Sequence, residues 1–262
     1  LGIEFLKALR RQGLDRIRPM AVHRLGAHDR DASMPDPGAV GPASATAIRA
    51  ALLDALRQGH PPAVAIDRVR PSLPPATAAL ALHRLLQGAA PVTADTFLPT
   101  LVAGLRGLPP EALDAIAGMG EGLGRRLREE ARGLSGPDPM SALVAGGVSR
   151  RFPASRVRRA LCALLVGLRE SDLSAFDAAG GPRFLRVLGF TDRGRTLLRG
   201  MRRRATLPLF LKESDSLEHA ADPALTRMAE LDRLAADLWA LAVPRQALRR
   251  TGGDFDTPVD MV

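Results

Sequence analysis

The chain has 262 residues, 46% of them hydrophobic and 3% aromatic, with one cysteine and a formal net charge of +9. That apolar content is enough for a packed core and excludes a wholly disordered chain, while the lone Cys162 excludes an intramolecular disulfide and a cysteine-built zinc site. No apolar run reaches the roughly 18 to 20 residues that span a bilayer and no signal-peptide pattern opens the sequence, so it reads as cytoplasmic, with no membrane partner.

LGIEFLKAL opens the chain as a helix, with Leu1, Phe5 and Leu9 on one face and Leu6 beside them. Because it starts at Leu1, already inside an amphipathic helix, residues upstream of Leu1 are expected in the natural protein. PMAVHRLGAHD follows as a short strand and loop, and SATAIRAALLDAL as a second helix running to about Gly59. Helix, strand, loop and helix in that order form the closing part of a Rossmann-like α/β nucleotide-binding unit.

Ser44 and Thr46 stand where the second helix begins, so their hydroxyls and the free N–H groups of the first turn share a positive helix end, which holds phosphate. Arg24, at the strand exit, and Arg49, one turn into the helix, add guanidiniums suited to a triphosphate, with His28 of GAHD beside them. The plainer reading, Ser44 as an ordinary N-cap and both arginines solvated, stays open. The polar loop from Gly26 to Pro42 reads equally as a cover over this site or as disorder.

HPPAVAIDRVRPSLPPA carries five prolines, so residues 60–75 read as a linker between a nucleotide-binding portion, 1–59, and a helical domain, 76–262. Apolar periodicity there predicts helices over 76–88, 93–106, 109–117, 120–132, 138–146, 153–168, 171–178, 181–188, 191–204 and 222–242. The fold class is therefore predominantly α, an all-α domain after the end of an α/β domain. RRTGGDFDTPVDMV closes the chain as an extended tail strand, and Cys162, in ALCALLVGL, reads as a small core residue.

The positive charge is local: from Ser149 to Ala205 there are 14 arginines against 4 acidic residues, which leaves the rest of the chain near neutral. A block of one sign in a balanced chain is the electrostatic footprint of a nucleic-acid partner, with an acidic protein as the alternative. Val157, Leu161, Leu164, Leu165 and Leu168 make the apolar face of a helix starting near Pro153, so Arg150, Arg151, Arg156, Arg158 and Arg159 crowd its N-terminal end. Cations there oppose the helix dipole by roughly 0.3 to 1 kcal/mol each, and a bound phosphate reverses that sign. Arg199, Arg202, Arg203 and Arg204 gather at a helix C-terminus, where cations are favourable without a ligand. No Walker loop, metal-ligand spacing or nucleophile elbow occurs, so no catalytic residue is assigned.

LGIEFLKAL, VHRLGAHD and SATAIR, followed by MGEGLGRRLREEA, SRRFPASRVRRAL, FLRVLGFTDRGRTLL and ATLPLFLK, resemble the bacterial tRNA(Met) cytidine acetate ligases along nearly the whole chain. The resemblance implies a HIGH-type nucleotidyltransferase domain, whose HIGH motif would lie before Leu1, and a helical C-terminal domain; the chain alone would then be inactive. It implies activation of acetate by ATP, with Mg2+, to acetyl-adenylate, and acetyl transfer to the wobble cytidine of elongator tRNA(Met), giving N4-acetylcytidine. Carried over by residue, Arg24, Ser44, Thr46 and Arg49 face ATP and Arg150, Arg151, Arg156 and Arg159 face tRNA; His28 joins the first group by its place after Arg24, and Arg202 and Arg203 join the second by charge alone. In the family's KRYTxTRIQR segment this chain departs at Phe152, Pro153 and Ser155. The rival readings are a noncatalytic RNA-binding relative and a nucleotidyltransferase acting on a small substrate.

Overall fold

The structure, a computed structural model, describes residues 2–14, 16–23, 26–28, 31–36, 41–212, 214–253 and 260–261. The chain divides into two compact units, Leu1–Leu86 and Gln87–Val262.

The first unit contains helices α1 (Gly2–Arg11), α2 (Ala45–Arg57), α3 (Pro62–Val69) and α4 (Pro75–Leu86). Ala47 and Ala55 of α2, Ala65, Ile66 and Val69 of α3 and Ala78 of α4 are fully buried, and the four alanines let the helices approach closely. The expected linker over 60–75 is thus corrected: it folds as α3 and a 3-10 turn, Arg70–Ser72. Its prolines stand at helix starts, where the missing N–H has no intrahelical partner to lose, and the division between units falls after Leu86. The expected strand near 19–23 is also corrected, because no strand pairs with this segment among the described residues and Met20 and Val22 are exposed. On α1, Ile3, Phe5 and Leu6 face solvent.

The second unit continues with α5 (Leu98–Gly107), α6 (Pro110–Asp114), α7 (Leu123–Arg132), α8 (Pro139–Gly147), α9 (Ala154–Val166) and α10 (Glu170–Ala178). Its core joins Leu101 and Leu105 of α5, Leu123 and Leu127 of α7, Leu143 of α8, and Val157 and Leu161 of α9. The end of α8 lies so close to its neighbours that a Cβ on Gly147 would stand 2.8 Å from Leu127 and 2.9 Å from Val157. Cys162 is exposed rather than in the core, because α9 buries Ala160, Leu161 and Ala163 and turns position 162 outward.

Beyond α10, β1 (Leu185–Arg186) replaces the helix expected over 181–188. Gly180 and Gly181, both at positive φ, end α10, and the chain leaves extended to pair in parallel with Leu209–Phe210. β2 (Gly189–Phe190), α11 (Asp192–Arg204), β3 (Leu209–Phe210), α12 (Ser214–Leu217), α13 (Pro223–Leu241) and β4 (Asp260–Met261) complete the unit. β4 pairs in parallel with β2, so the tail does run as a strand at Asp260–Met261. Arg227 of α13 fastens α10, reaching Asp172 at 3.2 Å and the Gly167 carbonyl at 3.0 Å. The described residues are mostly helical, with short two-residue strands.

Candidate nucleic-acid interface

A tight turn leads into α9: Ser149 and Phe152 exchange backbone hydrogen bonds of 3.0 and 3.1 Å, and this buries the Phe152 ring. Pro153 caps the helix without a side-chain acceptor, so the first-turn N–H groups meet no carboxylate or hydroxyl from their own cap. Arg156 lies over Phe152, its guanidinium carbon 4.9 Å from the ring centre, and Arg151 stands at 5.9 Å.

Sequence reasoning missed the partner of this pair. Glu121, at φ 63° in the Met119–Gly124 turn, accepts from Arg151 at 3.0 Å and from Arg156 at 3.1 Å. Hydrogen bonds from Arg151 and then Arg156 hold its carboxyl below the usual carboxylate range. The one-signed cluster is therefore partly compensated. Two of its guanidiniums are engaged with Glu121, whereas Arg150, Arg158 and Arg159 are exposed and have no ion pair among the described residues. The only hint in the sequence was a glutamate flanked by Gly120 and Gly122 within a stretch that reads as helix.

The second cluster lies on α11, capped by Thr191, whose hydroxyl accepts from the Gly194 N–H at 3.1 Å. None of its residues is buried: six arginines, Arg202 and Arg203 among them, face solvent together with Leu197 and Met201. No hydrogen bond or ion pair joins this cluster to the α9 cluster among the described residues.

In the first unit, Ser44 is 2% exposed, and its hydroxyl donates to the Asp31 carbonyl while accepting from the Ala47 N–H at 3.0 Å. This corrects the expectation that the Ser44 hydroxyl is offered to phosphate, because it donates and accepts inside the protein. The same residues anchor the adjoining loop: the His28 N–H donates to Asp31 at 2.8 Å, and a Cβ on Gly26 would meet the Pro42 carbonyl at 2.5 Å. His28 and Arg49 have exposed side chains, Thr46 is half-buried, and Arg24 lies outside the described residues. No group of three or more His, Cys, Asp or Glu side chains gathers to hold a metal among the described residues.

The family described as HIGH Nucleotidyl Transferase matches residues 1–254. This chain belongs to the HIGH nucleotidyltransferase family. It is 29% identical over 255 residues to the tRNA(Met) cytidine acetate ligase of Acetivibrio thermocellus, a match covering 97% of this chain and 58% of that protein. To the ligase of the same name from Halothermothrix orenii it is 30% identical over 266 residues, 99% of this chain and 58% of the relative. Among solved structures it is similar to apo Thermotoga maritima TmcAL, with a TM-score of 0.84 and 26% identity over 100% of this chain and 59% of the other. The same protein bound with alpha-thio ATP superposes with a TM-score of 0.72 and 26% identity over 84% of this chain and 52% of that one. The chain thus spans 58% of the length of these curated family members. No helix among the described residues is long and apolar enough to cross a membrane.

Proposed function

We propose that this chain belongs to a tRNA(Met) cytidine acetate ligase. An acetate oxygen attacks the α-phosphorus of ATP and displaces pyrophosphate. The exocyclic amine of the wobble cytidine of elongator tRNA(Met) then attacks the acetyl carbonyl, loses a proton and releases AMP. The observation that carries this reading is the match of 97% of the chain, through both compact units, to a relative of that name.

Within it, the first unit supplies part of the ATP rim and the second binds tRNA. Arg24, Arg49 and His28 bind the triphosphate, Arg49 in α2 with Thr46 at the start of that helix. Ser44 acts one step back, holding Asp31 against the helix start rather than touching phosphate. In the second unit Arg150 and Arg159 meet RNA phosphates, while Arg151 and Arg156 form a fork held on Phe152 by Glu121. The N-terminal dipole of α9 adds to the same positive field. Arg202 and Arg203 extend it along α11.

The test supplies the complete protein with ATP, radiolabelled acetate and tRNA(Met) and follows label into cytidine. Incorporation that requires both ATP and tRNA supports the reading. ATP-dependent turnover indifferent to RNA would make it a nucleotidyltransferase acting on a small substrate, and tRNA binding without turnover a noncatalytic binder.

A further inference from the structure

The second unit holds a cavity of about 970 Å3 at the foot of α11, near the upper end of the range for small-ligand pockets. Arg183 lines it but is engaged with Asp222 at 2.7 Å, and the Asp215 carboxylate accepts the Leu211 and Lys212 N–H groups at 2.7 and 3.1 Å. The lining charges left without a partner among the described residues are Arg202, Lys212 and Glu218. His219 also lines the cavity and is one end of a three-ring stack. Its ring centre is 6.0 Å from that of Phe210, which stacks in turn on Phe184 at 4.6 Å.

With Glu218 the one opposing charge among those left without a partner, a stacking ring and two cations around one cavity are the chemistry of a nucleotide: the ring meets a base and the cations meet its phosphate. Position adds the source. The cavity opens beside the last turn of α11, so a backbone tracking the exposed arginines of that helix runs on to Arg202 and into the cavity. We propose that this cavity takes one unpaired nucleotide of bound tRNA, with its base against His219 and a flanking phosphate on Arg202 and Lys212. The proposal rests on the tRNA-binding reading above and deepens it; a free nucleotide carries the same chemistry, and the experiment separates the two sources.

The purified chain is titrated with labelled tRNA(Met) over a range of KCl concentrations, with AMP and CMP as competitors. His219→Ala is expected to weaken tRNA binding by about 5- to 150-fold, the loss of one stacked base, without altering the salt slope. His219→Phe, which keeps a ring, is expected to restore binding, and this guards against misfolding of the alanine variant. Lys212→Ala is expected to flatten the slope of log affinity against log salt by about 0.7, one single-stranded phosphate contact. Parent-like binding by His219→Ala and Lys212→Ala, in a chain that does bind tRNA, overturns the cavity proposal and leaves the tRNA reading standing. A parent chain that binds no tRNA overturns both. Free nucleotide that binds and is lost in His219→Ala, while tRNA affinity is unchanged, overturns the assignment to RNA.

Discussion

Glu121→Gln removes the carboxylate that engages Arg151 and Arg156 while keeping the size of the side chain and its tolerance of φ 63°. The two arginines are not released equally. Arg156 stays over Phe152 at 4.9 Å with its side chain 31% exposed, whereas the Arg151 side chain is 65% exposed and farther from the ring. One guanidinium is thus freed for a phosphate, and the local charge rises by one. Since each neutralised duplex phosphate contributes about 0.9 to the salt slope, the variant is expected to bind tRNA more tightly at low salt with a slope steeper by about 0.9. Fluorescence anisotropy with labelled tRNA across a KCl series measures both quantities. Weaker binding by Glu121→Gln would mean that the carboxylate positions the arginines rather than competing with phosphate. Unchanged affinity and slope would remove Arg151 from the RNA contact.

Arg227→Ala severs the tie from α13 to Asp172 and to the Gly167 carbonyl, and with its side chain 34% exposed it is expected to cost about 1 to 2 kcal/mol. The thermal midpoint should fall by roughly 2 to 8 °C, and an unmoved midpoint would make the tie dispensable. Burial pushes the Asp172 carboxyl up, but the Arg169 N–H and the Arg227 guanidinium outweigh it and hold the group below the usual range. The Leu225 N–H and then Arg183 lower Asp222 in the same way. For such depressed carboxyls the added stability is fully present above the ordinary carboxylate range and is lost as pH falls from that range through the lowered folded value, so the denaturation midpoint should drop below about pH 4, less steeply in Asp172→Asn. In the complete protein Arg49→Ala should weaken ATP by about 1.5 to 3 kcal/mol and leave tRNA affinity unchanged; equal ATP affinity would return Arg49 to the solvated surface.

Helix periodicity was legible wherever one face packs locally. Val157 and Leu161 of α9 sit in the core as their spacing implies, with Leu164, Leu165 and Leu168 packed against it. The prolines of 60–75 misled because a proline at a helix start and a proline in a linker look alike in sequence, and only Ala65, Ile66 and Val69 packing inward separates them. Residues 181–188 satisfied a helical spacing, but Leu185 and Arg186 pair with Leu209 and Phe210, more than twenty residues along the chain. For the candidate site, the arginine block was visible as composition. Its balance was not, because Glu121 reaches Arg151 and Arg156 only through folding, and neither the His219 stack on Phe210 nor the inward hydroxyl of Ser44 leaves a local signature.

The tRNA affinity of an Arg150→Ala, Arg159→Ala double variant, measured against salt beside the parent chain, bears most directly on the role of the second unit. Both side chains are exposed and neither holds an ion pair among the described residues, so the fold should be untouched and the melting temperature parental. Loss of two phosphate contacts should flatten the slope of log affinity against log salt by about 1.4 to 1.8. A parental slope and affinity in a folded double variant would contradict tRNA binding at the start of α9.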